Sequence, residues 1–275
     1  MTVFSDKFLS QKLELAEAHA NVNFVNARAT IQPHTSAEWM SVKGAYALFD
    51  GTESPLTQTF GLSLFEEITH EDLTKIENFF QNHNASVFHE VSPMASPSHM
   101  AILHERGYKP IELTTVMYKV LSKDITFPHP KKSGVSIRIL CKDEEDIWAR
   151  TSAQGWSTEI GGFSDFIYQF AFVAANSASA HPFCGEIDGK IISTGMLNIH
   201  NDVALLAGAS TIPEWRNLGA QNALLNARLN YATARGCTLA MLCASPGSQS
   251  QKNAERNGFN IAYTRTKWSL VNPAE

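Results

Sequence analysis

The two halves of this 275-residue chain share an order of sequence signals, and this order most restricts how the chain can fold. In the first half, a strand pattern at residues 86–91 is followed by a Ser-Pro pair, a helix pattern, Gly107 and a long strand. In the second half, a strand pattern at residues 238–244 is followed by a Ser-Pro pair, a helix pattern, Gly258 and a long strand. Internal duplication explains the shared order, with coincidence between two α/β segments as the alternative.

A stretch that resists regular structure separates the two copies at about residues 123–134. It contains two prolines, adjacent lysines and a Ser-Gly pair, and a new strand pattern begins after it. We therefore predict a first domain over residues 1–122, a linker over residues 123–134 and a second domain over residues 135–275. The expected fold class is α/β (α+β), with two mixed-sheet domains flanked by helices.

Hydrophobic periodicity and turn signals predict the elements of the second half. In chain order they are a helix opening at residues 143–146, a helix at Phe163–Ala175, strands at His181–Ile187, Lys190–His200 and Val203–Ile212, a helix from Gly219 to Arg235, a strand at Thr238–Ala244, a helix at Ser250–Asn257 and a strand pair between Phe259 and Leu270. The Asp-Gly turn between the first two of these strands is a strong hairpin signal.

Charge and glycine are distributed unevenly between the halves. Residues 1–130 carry a net charge of −6 and four glycines, whereas residues 131–275 carry +1 and twelve glycines. The whole chain has a net charge of −5, which argues against general nucleic-acid binding because phosphate neutralisation needs a basic surface. The N-terminus lacks a secretory signal pattern, and no stretch approaches the ~18 apolar residues of a membrane span. We expect a cytoplasmic protein that binds neither nucleic acid nor a membrane.

The cysteines and histidines do not predict a metal site. All four cysteines lie in the second half without C-x-x-C spacing, and three of them have apolar, strand-like neighbours. We interpret them as small buried hydrophobes. Eight of the ten histidines lie in the first half, without the spacing of a metal-binding helix, and we interpret them as scattered surface residues.

The segment most informative about chemistry joins a strand that runs through Ile212 to a helix that begins near Gly219. Backbone N–H groups at a helix start, together with the helix dipole, form a ready site for an anion. Gly219 has no Cβ and lets a ligand approach the backbone, and Arg216 offers a planar cation for phosphate oxygens. A surface helix cap beside an unrelated arginine is the alternative. The matching place in the first half, between Gln58–Leu64 and Thr69–His83, has no glycine loop.

The sequence Arg216-Asn217-Leu218-Gly219-Ala220-Gln221 resembles the acetyl-CoA loop of the GNAT acetyltransferase family. The signature of that family is Gln or Arg, two residues, Gly, one residue, and then Gly or Ala, so this chain departs from it at Gln221. Asn257-Gly258-Phe259 closes the following helix, as in the family. The resemblance covers about residues 135–270 and, as a degenerate copy, about residues 40–122. It implies a tandem GNAT-like protein.

The resemblance implies an acetyl-CoA site in the second half. The pyrophosphate would lie on the backbone amides of Asn217, Leu218, Gly219, Ala220, Gln221 and Asn222. The pantetheine would pair with backbone near Thr211 and Ile212, and Asn253 is a further candidate contact. The seven basic residues and one acidic residue between Arg216 and Lys267 agree with an anionic ligand.

The resemblance leaves the catalytic groups less defined. Many family members donate a proton from a Tyr four residues before the closing Gly, and this chain has Ala254 there. Tyr263 is the expected substitute, with an ordinary sheet aromatic as the alternative. Glu159 is the expected base, and Trp156 would form a wall of the acceptor pocket. The other candidate bases are Glu186, His200, Glu214 and a water molecule.

The expected reaction is acetyl transfer to a primary amine by direct attack on the thioester. The acceptor would be a small molecule or a peptide. The alternative is a CoA-binding regulatory or scaffolding protein without significant turnover. A homodimer stays open, and no metal is expected.

Overall fold

The computed structural model describes residues 4–128, 134–162 and 164–270. Over these residues the chain forms eight α-helices and eleven β-strands, so the predicted mixed α/β class is confirmed. Part of the predicted linker, residues 129–133, and the predicted helix start at Phe163 lie outside the described residues.

The elements follow one another in this order. They are α1 (Lys7–Ile31), β1 (Glu38–Val42), β2 (Ala45–Phe49), β3 (Gln58–Phe60), α2 (His70–Asn82), β4 (Phe88–Val91), α3 (Ser98–Glu105), β5 (Tyr108–Val120), β6 (Ser136–Ile139), α4 (Glu145–Gly155), α5 (Ser157–Ile160), α6 (Asp165–Ala175), β7 (Ala180–Ile187), β8 (Lys190–His200), β9 (Val203–Thr211), α7 (Ala220–Ala234), β10 (Leu239–Ala244), α8 (Gln249–Arg256) and β11 (Asn260–Leu270).

The chain forms two compact units, which we describe separately. Unit 1 consists of Met1–Lys119 and Met241–Glu275, and unit 2 consists of Val120–Ala240. The predicted domains are successive copies along the chain, whereas the units group residues in space. The predicted domain limits therefore stay a prediction.

Unit 1 contains the strand order β1-β2-β3-β4-β11-β5, in which β3 and β4 are parallel and the other pairs are antiparallel. The last strand of the second half, β11, thus lies between two strands of the first half. It is one continuous strand, so the predicted strand pair between Phe259 and Leu270 is wrong. Helix α1 packs against β1 and β2, and α2 packs against β2. The core beside α2 includes Leu73, Ile76 and Phe80.

Unit 2 contains the antiparallel strand order β9-β8-β7-β6. Helix α4 packs against β8 and β9, and its Trp148 and Ala149 form a buried cluster with Met196 of β8. Helix α7 also packs against β8 and β9. Because side chains alternate along a strand, Met196 faces α4 and its neighbour Gly195 faces the opposite side, where the Arg228 side chain of α7 lies. The strands of unit 2 are therefore held between these two helices.

A buried histidine of unit 1 predicts how stability changes with pH. His89 of β4 is fully buried, and neither ring nitrogen has a hydrogen-bond partner among the described residues. Burial lowers the pKa of His89 from 6.5 to about 3. The unfolded chain therefore binds a proton below pH 6.5 that the folded chain does not, so stability is lost as the pH falls from 6.5 towards 3. We expect a loss of roughly 1.4 kcal/mol per pH unit over this range.

Urea denaturation of wild type and His89→Leu at neutral pH and near pH 5 measures this effect. The variant should lose less stability on acidification than wild type, and the exposed control His34→Leu should behave as wild type. Burial raises the pKa of Glu14 to about 6, which acts with the opposite sign because its contribution is lost as the pH rises through 6. Wild type and His89→Leu both contain Glu14, so its contribution cancels when their pH dependences are compared. Parallel pH dependences for wild type and His89→Leu would contradict the prediction.

Candidate functional site

Strand β9 carries a bulge near its middle. Opposite the single residue Gly195 of β8, β9 places two residues, Gly208 and Ala209. Gly208 has a φ of +56°, in the left-handed region that favours glycine. A bulge of this kind bends the strand and increases its twist. It therefore affects the direction in which β9 approaches the loop before α7.

The end of β9 offers one backbone position to an extended ligand. The amide of Ile212 donates to the carbonyl of Ile192 at 3.0 Å, and its carbonyl accepts from the amide of Trp215 at 2.9 Å. Both backbone groups of Ile212 are thus in use. Because successive residues of an antiparallel strand point their backbone groups in opposite directions, the amide of Thr211 points away from β8. The geometry favours Thr211 over Ile212 as the pairing position predicted for pantetheine.

Helix α4 makes a close approach to this end of β9 through Gly155. A Cβ on Gly155 would overlap the Ser210 side chain and lie 3.1 Å from the amide nitrogen of Thr211. The Ser210 hydroxyl donates to the carbonyl of Ser152 at 3.2 Å and lies 3.0 Å from the hydroxyl of Thr194. Glycine at position 155 therefore lets the end of α4 contact the strand directly.

The loop between β9 and α7 turns sharply at two residues. Asn217 has a φ of +65° and Gly219 a φ of +81°, both left-handed. Asparagine and glycine are the residue types that adopt this conformation most readily. Helix α7 then begins at Ala220 without a side-chain cap. The backbone N–H groups of its first turn, at the positive end of the helix dipole, have the arrangement that binds anions.

Arg216 fixes a positive charge three residues before Gly219. Its Nε donates to the carbonyl of Thr211 at 3.2 Å, and its Nη2 donates to the carbonyl of Gly155 at 2.8 Å. Nη2 also lies 3.4 Å from a carboxylate oxygen of Glu159. The side chain remains 36% exposed. The guanidinium is therefore anchored to the backbone while part of it still faces solvent.

Gln221, the residue at which the chain departs from the family signature, makes a side-chain hydrogen bond. The Gln221 side-chain amide donates to the Thr211 hydroxyl at 2.9 Å. This bond ties the first turn of α7 to the last residue of β9. A small residue at position 221, as in the signature, would lack the bond.

The predicted base Glu159 and pocket residue Trp156 lie together at the end of α4. Glu159 belongs to the one-turn helix α5, which begins directly after Trp156. Its carboxylate accepts from the Thr158 hydroxyl at 2.7 Å, and this bond, with the nearby Arg216 cation, lowers the pKa of Glu159. A carboxylate with a lowered pKa is a weak base. Trp156 is 37% exposed, so its ring has a face available to a ligand.

The other candidate bases of unit 2 do not gain support. Glu186 forms a 2.6 Å ion pair with Arg138, which also pairs with Glu144. Glu214 lies in the short 3-10 turn after β9, and His200 ends β8.

Tyr263 and Asn253 belong to unit 1. The Tyr263 hydroxyl is buried and donates to Glu14 at 2.9 Å. Burial raises the pKa of Tyr263 well above its ordinary value, so this environment does not favour the predicted role as proton donor. Asn253 is exposed on α8, and its side-chain carbonyl accepts from Gln249 at 2.7 Å.

The corresponding helix of the first half, α2, begins in the opposite manner to α7. The Thr69 hydroxyl accepts from the amide of Asp72, and the Asp72 carboxylate accepts from the amide of Thr69. This capping box uses backbone donors of the first turn. Glu71 and Asp72 add negative charge there. The start of α2 is therefore unsuited to an anion, which agrees with the missing glycine loop.

The described residues contain no cluster of three or more His, Cys, Asp or Glu side chains arranged to hold a metal ion. Within the same residues, no helix has the length and apolar character needed to cross a membrane.

Comparison with known proteins finds a family match in the second half of the chain. Residues 144–259 match the model of the Acetyltransferase (GNAT) family. A solved GCN5-related N-acetyltransferase from Kribbella flavida is 18% identical, with a TM-score of 0.62 over 91% of this chain and 96% of that one. A GCN5-related N-acetyltransferase from Sphaerobacter thermophilus is 14% identical, with a TM-score of 0.56 over 86% of this chain and 76% of that one.

A third solved structure is a tandem GNAT protein from the clavulanic acid biosynthesis pathway. It is 15% identical, with a TM-score of 0.54 over 74% of this chain and 70% of that one. No curated protein matches the chain. The family match therefore covers residues 144–259 of the second half, and the solved structures show that the fold resembles that of GNAT proteins.

The close approach at Gly155 gives a testable prediction. In Gly155→Ala the new Cβ would overlap Ser210 and force α4 away from β9. We expect the free energy of unfolding, measured in urea, to fall by about 1–3 kcal/mol.

The double variant Gly155→Ala/Ser210→Gly is the control for this prediction. It removes the side chain that the new Cβ meets, so it should recover stability relative to Gly155→Ala combined with Ser210→Ala. Wild-type stability of Gly155→Ala would show that the helix and strand do not need this close contact.

Proposed function

We propose that the chain is an acetyl-CoA-dependent N-acetyltransferase that transfers an acetyl group to a primary amine. The observation that carries the proposal is the start of α7, which has left-handed Gly219, no side-chain cap and Arg216 fixed beside it. The match to the GNAT family model supports the same reading.

The pyrophosphate of acetyl-CoA is proposed to lie on the backbone amides from Asn217 to Asn222. An uncapped helix start suits a phosphate because its N–H groups and its dipole both favour negative charge. Arg216 adds charge-assisted hydrogen bonding. The contrast with the capped and acidic start of α2 supports this role for the second half rather than the first.

The pantetheine is proposed to pair with the amide of Thr211. This amide points away from β8. The acetyl group would then lie farther back along β9, on the side of the bulge, because the pyrophosphate lies on the loop that follows Thr211. The exposed Trp156 ring is proposed to contact the acceptor.

The reaction is proposed to be direct attack of a neutral amine on the thioester carbonyl. A C–N bond forms and the C–S bond breaks, the amine proton leaves to water or to Glu159, and the thiolate of CoA takes up a proton. Positioning of the two substrates carries most of the rate enhancement in this proposal. The Arg216 ion pair and the lowered pKa of Glu159 disfavour this carboxylate as the proton acceptor, and release of the proton to bulk solvent through water is the alternative route.

One observation favours a second candidate, a CoA-binding regulatory or scaffolding protein without significant turnover. Glu159 is ion-paired, and Tyr263 is buried on Glu14, so neither predicted catalytic group has a favourable environment. The acceptor, a small-molecule or peptide amine, belongs to the first candidate only. A homodimer is compatible with both candidates.

The first prediction concerns cofactor affinity. Isothermal titration of wild type with acetyl-CoA should give micromolar-class binding, and Arg216→Ala should weaken it about tenfold because a charge-assisted phosphate contact is lost. Arg235→Ala is the matched control, since Arg235 is an exposed arginine at the other end of α7. It should bind as wild type does.

Two results would overturn this prediction. Absence of binding by wild type would exclude both candidate functions. Equal weakening by Arg216→Ala and Arg235→Ala would show that only the net charge of the protein matters.

The second prediction separates an enzyme from a binding protein. Thiol release from acetyl-CoA, measured against a panel of small amines and peptides, should accelerate with at least one primary amine. If water accepts the proton, Glu159→Gln should retain most of the turnover, and the rate should rise with pH as the acceptor amine loses its proton. Binding without amine-dependent thiol release across the panel would favour the regulatory candidate.

A further inference from the structure

A buried arginine lies beneath the bulge of β9. Arg228 of α7 is 3% exposed, and among the described residues no charged partner is shown for it. Burial lowers its pKa to about 10. Burying a cation without a counter-charge is costly unless its donors are satisfied by other polar groups.

The partners of Arg228 are backbone carbonyls beside the bulge. Its Nη1 donates to the carbonyl of Met196 at 2.9 Å and lies 3.4 Å from the carbonyl of Ala207. These two residues are cross-strand partners next to the bulge. Its Nε donates to the carbonyl of Leu224, one turn earlier in α7. One side chain therefore links β8, β9 and α7 at the point where the strand bends.

Gly195 makes room for the guanidinium. A Cβ at this position would lie 3.0 Å from the Cζ of Arg228. Gly195 is also the residue of β8 that lies opposite the bulge. The space for Arg228 and the bulge that it contacts therefore occur at the same place in the sheet.

Arg228 and Gln221 hold α7 to β9 from the same face of the helix. They are seven residues apart, which is about two helical turns. Gln221 bonds Thr211 at the end of β9, and Arg228 contacts Ala207 on the other side of the bulge. The two contacts together determine how the first turn of α7 lies relative to the C-terminal end of β9.

We propose that Arg228 is a positioning residue for the acetyl-CoA site. It fixes the bulge of β9 and thereby the alignment of the Thr211 amide with the first turn of α7. This inference rests on the proposed function. A residue without several donors would leave the carbonyls of Met196 and Ala207 without this partner, and the bulge would relax.

The test compares Arg228→Met and Arg228→Lys with wild type and with the matched control Arg235→Met. Acetyl-CoA affinity is measured by isothermal titration well below the melting temperature, and amide hydrogen exchange is measured residue by residue. We expect Arg228→Met to raise the Kd at least tenfold and to lose amide protection in residues 204–211, while the strands of unit 1 keep theirs. Arg228→Lys should recover part of both effects, and Arg235→Met should behave as wild type.

The two measurements separate a positioning role from loss of folding. A variant that is only less stable retains the wild-type Kd for its folded fraction and loses protection throughout unit 2. That result, or an unchanged Kd in Arg228→Met, would overturn the proposal.

If Arg228→Met does not fold, Gly195→Ala takes its place, because it keeps the arginine and displaces its guanidinium. A wild-type Kd for that variant would again contradict the proposed role. If wild type itself does not bind acetyl-CoA, the proposed function fails and the cofactor role of Arg228 fails with it. Hydrogen exchange then still decides whether Arg228 holds the bulge.

Discussion

The attachment of β9 to the helices on its two faces is the constraint on which the rest of unit 2 depends. On one face, Gly155 lets α4 contact Ser210 without a Cβ between them. On the other face, the Arg228 side chain of α7 donates to carbonyls beside the bulge. The direction of β9 then determines where the loop begins, and the left-handed turns of that loop determine where α7 presents its first amides. The candidate anion site is thus a consequence of how one strand is packed.

The corresponding helices of the two halves, α2 and α7, begin with different backbone environments. Helix α2 of unit 1 begins with a reciprocal cap between Thr69 and Asp72, whereas α7 of unit 2 begins with glycine and no side-chain cap. A cap stabilises a helix by about 1 kcal/mol, so its replacement by an open start lowers the stability of the helix unless a ligand or water bonds the amides. This difference is the physical basis for assigning ligand binding to one half. Unit 1 in turn contains β11, the last strand of the second half, so the two units do not coincide with the two copies predicted along the chain.

Local signals in the sequence were sufficient to predict the hairpin strand Lys190–His200 and the helix that follows the loop. The strand Lys190–His200 has the predicted limits, and α7 differs from its predicted range by one residue at each end, because turn residues and helix starts depend on neighbours in the chain. Four features could not be predicted in this way. Helix α1 buries alanines and the charged residues Glu14 and Arg28 along with its large apolar side chains, so its apolar periodicity is weak. The position of β11 between β4 and β5 and the contacts of Arg228 depend on residues far apart in the sequence. The hydrogen bond from Tyr263 to Glu14 likewise joins residues far apart in the sequence.

Counting basic residues in the sequence near the loop has the same limit, because the count does not show which charges are buried. Arg228 and Arg265 are two of the seven basic residues that favoured an anionic ligand, and both are buried. Arg228 donates to backbone carbonyls, and Arg265 lies within 3.1 Å of carboxylate oxygens of Glu14, Glu17 and Glu90. The carboxylates around Arg265 largely cancel its field, and the donors of Arg228 are directed at backbone carbonyls rather than at a ligand. In the proposed function, the affinity of the loop for phosphate therefore rests on fixed backbone dipoles and on Arg216, which is anchored by carbonyls and still reaches solvent.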